Sequence, residues 1–427
     1  MVTRYVAEAL LSSAGWLHRP GVVDVDGNRI TWAGPADIAP PMPGHRVVDV
    51  GGLLMPGLVN THAHTPMTLL RSTGDGLPLD RWLREAMWPR EARMTDDDVH
   101  WGMLFGCEEL LRCGVTTTCE MYLHGRAVAE AALQAGIRCV LTPGVFDLPG
   151  VITWQDALDD VGRVHDEFDG RSELITVGVG PHAAYTLPVD GLVASARVAR
   201  ELDTLLQIHV AETAAEDQPI RDAHGCSTPE LLARLGVLDC RVLAAHSVWL
   251  SDADLALYEE YDVAVAHCPQ SNGKLGSGIA RASVMVARDL RVGLGTDGPA
   301  SNDNLDLWEE VRLAPLLARA VAADPLALTT TDALHLATRG GADALGLQVG
   351  TLEAGRAADF IRLDLSEFVP AADEEELRSH LVWAASSRAV TDVWVGGRQV
   401  VAGGVCTTID AGEARRQVAS RAQRLRV

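Results

Sequence analysis

Both ends of the chain alternate hydrophobic and polar positions over short stretches. Such stretches lie at residues 21–25, 29–33, 358–363, 390–395 and 398–401. The turn-forming sequences Asp26-Gly27-Asn28 and Gly396-Gly397 separate neighbouring stretches. Short alternation is typical of half-buried strands, and paired turn residues mark hairpins. We therefore expect residues 1–56 and 351–427 to form one split β-sandwich domain with a C-terminal helix.

The middle of the chain, residues 57–350, shows a different pattern. Apolar stretches of strand length alternate with longer segments whose apolar positions recur at helical spacing, as in repeated β-α units. Eight such stretches lie at 58–64, 114–122, 138–146, 175–185, 205–212, 241–247, 263–272 and 291–298. A closed barrel of eight parallel strands typically takes about 250 residues. The predicted fold class is therefore α/β, with a (β/α)₈ TIM barrel as the catalytic domain and the small β-sandwich beside it.

Several of these predicted strands end on residues that are capable of chemistry. They are His64, His182, His209, His246, His267 and Asp297. Because the carboxyl ends of the strands share one rim of a parallel barrel, where catalytic residues also lie, we expect these side chains to meet.

Net charge and cysteine content indicate which kinds of molecule the protein binds and in which cellular compartment it works. The formal net charge is −22, which argues against binding of nucleic acid or of an anionic membrane. No apolar stretch approaches the roughly 18 residues of a membrane span, and no secretory signal pattern begins the chain. The eight cysteines form no CxxC pair, which is typical of reduced, buried thiols. We expect a cytoplasmic homo-oligomer that acts on a small molecule.

The first predicted strand ends in Thr61-His62-Ala63-His64, where residues two apart point the same way. An HxH pair alone is a weak signal, but His209 and Asp297 end two further predicted strands. Three imidazoles and one carboxylate suit Zn²⁺ or Fe²⁺ and leave a position for water. The sequence thus predicts a divalent metal at these four residues, with a turn or helix-capping aspartate as the alternative for Asp297.

Longer segments around these residues resemble a known superfamily. They are residues 55–64, His209 with Glu212, His246, residues 267–272 and residues 295–298. The set resembles the amidohydrolase superfamily, and within it the 5′-methylthioadenosine/S-adenosylhomocysteine deaminases and the related triazine hydrolases. The resemblance spans nearly the whole chain. It implies hydrolytic deamination of an adenine nucleoside, which gives the inosine analogue and ammonia.

The lysine content bears on the number of metal ions. Many members of this superfamily hold two ions, bridged by a carboxylated lysine on the fourth strand. This chain has one lysine, Lys274, which lies after the seventh apolar stretch. We therefore expect a single metal ion, as in the deaminase branch of the superfamily. One ion is enough to lower the pKa of the water molecule that it binds.

The resemblance also implies roles for the remaining site residues. Glu212 is the proton shuttle between the attacking water and the ring nitrogen next to the attacked carbon. His246 orients or polarises this water together with Asp297. The role of His267 stays open between catalysis and support of its loop.

Substrate contacts are implied in the same way. His182 hydrogen-bonds the purine, with a core histidine as the alternative. Residues 71–93 form an unusually long insertion and a candidate substrate loop. In this loop Trp82 packs on the ligand, unless it only fills the core, and Glu91 accepts hydrogen bonds from the ribose hydroxyls.

One departure from the family affects the 5′ substituent. Members that bind the amino-acid tail of S-adenosylhomocysteine use an arginine near the end of the third strand, where this chain has Pro143. Neutral groups such as methylthio, hydroxyl or hydrogen are therefore expected to be accepted more readily. The alternative substrates are other aminated or chlorinated heterocycles of the triazine, guanine or pyrimidine type, and the alternative to an enzyme is an inactive scaffold.

Overall fold

The computed structural model describes residues 2–12, 16–41, 44–147, 152–367 and 371–426. Its centre consists of short parallel strands with helices packed around them, and strands from both chain ends form separate sheets. The central strands are Leu58–Ala63, Val115–Glu120, Arg138–Leu141, Gly144–Val145, Ile175–Val177, Gly180–Pro181, Leu205–Val210, Arg241–His246, Ala264–His267 and Val292–Leu294. Each of the eight predicted stretches therefore contains a strand.

Four of these stretches differ most from the prediction in their extent. The eighth, predicted over 291–298, forms a strand only over Val292–Leu294. The third is divided at Pro143, because proline cannot donate a ladder hydrogen bond. The fourth is likewise divided into two short strands, Ile175–Val177 and Gly180–Pro181. The seventh ends at His267, since Pro269 begins a helix and proline favours the first helical position.

Backbone ladders join the central strands into three groups rather than one continuous sheet. Isolated bridges, Val179 to Leu206 and Ala183 to His209, connect the groups. Among the described residues no ladder joins the first and last central strands, but the Asp297 amide donates to the His62 carbonyl at 3.0 Å. The fold is therefore mixed α/β, and closure of a barrel stays a prediction.

Helices surround these strands. They are Asp96–Arg112, Gly125–Ala135, Trp154–Phe168, Val189–Glu201, Ala214–His224, Thr228–Arg234, Asp252–Glu260, Pro269–Lys274, Ala282–Ala287, Leu307–Ala322, Thr330–Leu336, Arg339–Leu345, Glu374–Trp383 and Ala411–Leu425. Within the described ranges, none of them has both the length and the apolar character that a membrane span needs. The predicted substrate loop, residues 71–93, is largely helical, with segments Leu79–Arg81, Trp82–Met87 and Trp88–Glu91.

The two chain ends meet in one sheet, as the pattern predicts. Phe360–Leu363 pairs antiparallel with both Leu53–Pro56 and Val390–Val395, so strands from the two ends are direct neighbours. A second sheet is built from N-terminal strands, including Gly21–Asp26 and Arg29–Pro35. All eight cysteines are buried, as predicted, and none of them lies in a disulfide bond. The exact domain boundaries stay predictions.

Candidate active site

The carboxyl ends of the central strands bring a cluster of histidines together. His62 and His64 lie at the end of the first strand, and His209 and His246 lie at the ends of Leu205–Val210 and Arg241–His246. The ring centroid of His62 is 4.7 Å from that of His64, 4.8 Å from that of His209 and 5.4 Å from that of His246. Residues far apart in the sequence thus converge on one point.

The potential metal donors face one another. Donor atoms of His62, His64 and His209 lie within 4.8 Å of one another, as do those of His62, His246 and Asp297. Asp297 Oδ1 lies 3.3 Å from Nε2 of both His62 and His64. His64 Nε2 is also 3.3 Å from His209 Nε2. The four predicted ligands therefore direct their donor atoms to a common space.

Hydrogen bonds at the opposite ring nitrogens fix the orientation of two imidazoles. His64 Nδ1 lies 2.5 Å from the Met121 carbonyl oxygen, and His209 Nδ1 lies 2.7 Å from that of His182. A carbonyl only accepts, so each Nδ1 carries a proton, and Nε2 is the ring nitrogen left to bind a metal ion. This arrangement is typical of metal-binding histidines.

The donor set fits a divalent cation. The buried Nε2 of His62 has no hydrogen-bond partner among the described residues, and burial lowers the pKa of His62 to about 4. Although burial opposes it, the neighbouring Asp297 carboxylate raises the pKa of His64 to about 8. Despite its own burial, Asp297 has a pKa well below its usual range, because His62 and His64 favour its anion. Imidazole nitrogens and a buried carboxylate thus surround a place for positive charge, and Zn²⁺ binds such ligands as it displaces the proton from His64 Nε2.

Two serines donate hydrogen bonds to the other carboxylate oxygen of Asp297. Ser271 Oγ donates to Oδ2 at 2.6 Å, and Ser301 Oγ donates to it at 2.8 Å. The backbone of Asp297 has φ +60°, an uncommon value for a residue other than glycine and typical of functional sites. Sequence analysis missed both serines, although Ser271 lies within a segment that carries the family resemblance. Only the folded chain shows which hydroxyls reach the carboxylate.

Glu212 and His246 lie beside the metal donors. Glu212 is 3% exposed, and its Oε2 lies 3.7 Å from His246 Nε2. Burial raises the pKa of the Glu212 carboxyl, which brings it closer to the range of a proton carrier at neutral pH. His246 Nδ1 lies 2.9 Å from Asn272 Oδ1 and donates to it, so Nε2 is the nitrogen that faces Glu212.

A single cavity connects this cluster with the predicted substrate residues. Its lining includes His64, His209, Glu212, His246, Asp297, Trp82, Glu91 and His182, together with Trp88, Tyr122, Phe146 and Tyr185. The four aromatic residues were not identified from the sequence, because an aromatic residue of a ligand cavity has the same sequence pattern as one of the core. They make the cavity wall largely apolar, which suits a flat heterocycle.

The three predicted substrate residues have defined surroundings. Trp82 is 5% exposed, and its indole N–H donates to the Thr73 carbonyl at 3.1 Å. The ring of His182 lies 4.6 Å from that of His209, and its Nδ1 is 3.1 Å from Thr186 Oγ1. Burial raises the pKa of Glu91, while a hydrogen bond with Tyr122 acts in the opposite direction.

His267 is separate from this group. It is buried, and burial lowers its pKa to about 4. It is not among the residues that line the cavity. Its carbonyl accepts from the Gly295 amide at 2.9 Å, which joins the strands Ala264–His267 and Val292–Leu294.

Known proteins share both sequence and fold with this chain. The model of the "Amidohydrolase family" matches residues 53–400. The 5-methylthioadenosine/S-adenosylhomocysteine deaminase of Moorella thermoacetica is 41% identical over 409 residues, 94% of each chain. The 5′-deoxyadenosine deaminase of Methanothermobacter thermautotrophicus is 40% identical over 90% of each chain. A zinc-bound adenosine deaminase from Xanthomonas campestris superposes with a TM-score of 0.93 at 32% identity, covering 99% of this chain and 98% of that one.

Proposed function

The chain belongs to the amidohydrolase family, and we propose that it is a metal-dependent deaminase of adenine nucleosides that releases the inosine analogue and ammonia. The central observation is that Glu212 and Glu91 line one cavity together with three of the metal donors, His64, His209 and Asp297. Glu212 lies beside these donors, and Glu91 lies on the substrate loop. A cavity of this kind has one carboxyl for proton transfer and one for ribose. We also propose that the eight strand-forming stretches close as a (β/α)₈ barrel over residues 57–350.

The metal site is proposed to hold one divalent ion, Zn²⁺ or Fe²⁺, at His62, His64, His209 and Asp297. Such an ion supplies a water molecule with a lowered pKa. Lys274 bonds to Ala300 and Asp303, and lies outside the donor cluster. This placement supports a site without a carboxylated lysine bridge.

Proton transfer is assigned to Glu212. Its carboxylate takes a proton from the attacking water and delivers one to the purine nitrogen next to the attacked carbon. His246 holds the water in line through Nε2, because its Nδ1 is bonded to Asn272. Asp297 is restrained by Ser271 and Ser301 and assists in orienting this water.

Recognition of the nucleoside is assigned to three residues of the same cavity. His182 has its Nδ1 beside Thr186, which leaves Nε2 for the purine. Trp82 uses its indole N–H within the loop, so it contacts the ligand with its ring. Glu91 accepts hydrogen bonds from the two ribose hydroxyls.

The 5′ substituent is proposed to be neutral. Pro143 lies where tail-binding members of the family have a cation, so a charged tail gains no ion pair there. The favoured substrates are 5′-methylthioadenosine, adenosine and 5′-deoxyadenosine, with S-adenosylhomocysteine below them. Two of the relatives described above are named for such nucleosides.

Ammonia release from a panel of substrates tests this function. Zinc-reconstituted protein is assayed with adenosine, 5′-deoxyadenosine, 5′-methylthioadenosine, S-adenosylhomocysteine, guanine, cytosine and a series of triazines. We expect the highest kcat/KM for adenine nucleosides with a neutral 5′ group. Turnover of a triazine or a free base, without turnover of any nucleoside, contradicts the proposal.

Glu91→Ala is expected to lower kcat/KM for adenosine-type substrates by about 10- to 100-fold. The charge-assisted hydrogen bonds between this carboxylate and ribose contribute about 1.5–3 kcal/mol, and about 1.4 kcal/mol corresponds to a tenfold change in kcat/KM. Steady-state kinetics with a 2′,3′-dideoxy analogue provide the comparison, because this substrate lacks both hydroxyls. Its kcat/KM is expected to change much less.

A matched variant controls for damage to the loop. Glu85 lies in the segment Trp82–Met87, is exposed and pairs with Arg81 at 2.7 Å. Glu85→Ala is expected to leave the kinetics of both substrates unchanged. If Glu91→Ala lowers kcat/KM equally for the two substrates, Glu91 supports the fold of the loop and does not bind the ribose hydroxyls.

A further inference from the structure

The only lysine of the chain joins three segments beside the cavity. Lys274 ends the helix Pro269–Lys274, and its Nζ donates to the Ala300 carbonyl at 3.1 Å and to the Asp303 carboxylate. Asp303 Oδ1 in turn accepts from Ser72 N at 2.8 Å and from Ser72 Oγ at 3.0 Å. One ammonium and one carboxylate therefore connect the segments that follow the strands Leu58–Ala63, Ala264–His267 and Val292–Leu294.

The contacts between Lys274, Asp303 and Ser72 reach the start of the substrate loop. Ser72 has a left-handed backbone, φ +61°, and precedes Thr73, whose carbonyl accepts the indole N–H of Trp82. Gly74 lies against the same indole, since a Cβ there would be 2.8 Å from Trp82 Cδ1. Trp82 lines the cavity. The position of Ser72 thus affects where the indole lies.

Through Ala300, Lys274 also contacts the turn next to the metal donors. Ala300 precedes Ser301, which donates to Asp297 Oδ2 at 2.8 Å and also lines the cavity. Leu275, which follows Lys274, is a further lining residue. The lysine therefore contacts the turn that restrains Asp297 as well as the carboxylate that holds Ser72.

An ammonium suits this place better than the guanidinium that the chain uses everywhere else. The Lys274 side chain is 20% exposed, and its two acceptors lie on one short turn, three residues apart. A compact point charge with rotatable donors can serve two such acceptors, whereas a guanidinium requires more space and a planar arrangement.

We propose that Lys274 is a positioning residue that fixes the start of the substrate loop relative to the turn that carries Ser301. Loss of its charge releases Ser72 and Thr73, so that Trp82 is no longer held against the ligand. Substrate binding is then weakened more than proton transfer, while the metal donors stay in place. The kinetic part of this inference rests on the proposed deaminase function, and the structural part does not.

Lys274→Met tests the inference, because it removes the charge and keeps most of the side-chain length. We expect KM for the best nucleoside to rise about tenfold with kcat within about threefold, the pattern of lost binding and not of lost chemistry. One equivalent of zinc is retained. Hydrogen exchange of the backbone amides in residues 72–82 becomes faster, and Lys274→Arg restores part of the wild-type behaviour.

Two further variants sharpen the result. Asp303→Asn is expected to raise KM to a similar extent. The double variant Lys274→Met/Asp303→Asn should have a KM no higher than that of the more affected single variant, because both substitutions break the same ion pair. Arg281→Met is the matched control. Like Lys274, Arg281 follows the strand Ala264–His267, and it contacts Asp252 at 2.8 Å and the Leu250 carbonyl at 3.4 Å. Among the described residues, neither of these contacts reaches the substrate loop.

The measurements separate this inference from the proposed function. If the wild-type protein deaminates no nucleoside, the function is wrong, and the exchange rates still decide the role of Lys274. Unchanged KM and unchanged exchange in Lys274→Met overturn the inference. Loss of zinc together with a large fall in kcat also overturns it, because the lysine would then support the metal site.

Discussion

Glu212→Gln is expected to reduce kcat for the best nucleoside by about 100-fold or more, the usual contribution of a general acid/base. Glutamine has nearly the same shape and can keep the contact with Ser277, which lies 3.4 Å from Oε1. It cannot carry a proton between the water and the purine. Fold and zinc content should therefore match the wild type, and only turnover, measured by ammonia release at saturating substrate, should fall.

Glu216 offers a control in the same part of the chain. Its carboxylate accepts from the Thr213 amide at 3.2 Å as part of a helix cap, and glutamine can make the same bond. Glu216→Gln should keep nearly full turnover. If Glu212→Gln also remains active, the proton shuttle lies elsewhere, and His246 becomes the next residue to change.

His62→Ala is expected to lose the tightly bound metal ion and, with it, activity. The substitution removes one of four donors and leaves two histidines and a carboxylate around a buried space. Elemental analysis after reconstitution with excess zinc and desalting should give about one equivalent for the wild type and close to none for the variant. A stable second equivalent in the wild type would contradict a site with a single ion.

His267→Ala is the matched control for this measurement. His267 is also a buried histidine of a central strand, but it does not line the cavity. The folded fraction of this variant should retain about one equivalent of zinc, as expected when no donor is removed. Equal zinc contents in His62→Ala and the wild type would show that His62 is not a ligand.

Local pattern was sufficient to locate the central strands. The residues of each strand share an apolar environment, so their sequence alone indicates the element. The same was true of His62 and His64, because their spacing places both side chains on one face of a strand. The breaks at Pro143 and between Val177 and Gly180 were less evident, since apolar residues continue on both sides of them.

Contacts between distant segments could not be predicted in this way. The two hydroxyls on Asp297 come from the helix after the strand Ala264–His267 and from the turn after the strand Val292–Leu294. The connection from Lys274 through Asp303 to Ser72 joins residues that only the folded chain brings together. Sequence analysis used Lys274 to exclude a bridged metal pair, which says nothing about the contacts that this lysine makes.

The pairing of the two chain ends has a consequence for the order of folding. Met55 lies opposite Ile361, so this sheet closes a loop on the order of 300 residues, while the parallel strands pair mostly with near neighbours in sequence. We expect the central part to form first and the terminal sheet last. Until Phe360–Leu363 has been synthesised and has paired with it, Leu53–Pro56 has an open, apolar edge that favours aggregation. Translation that stops before the last hundred or so residues should therefore give an insoluble product, although every proposed metal ligand has already been synthesised.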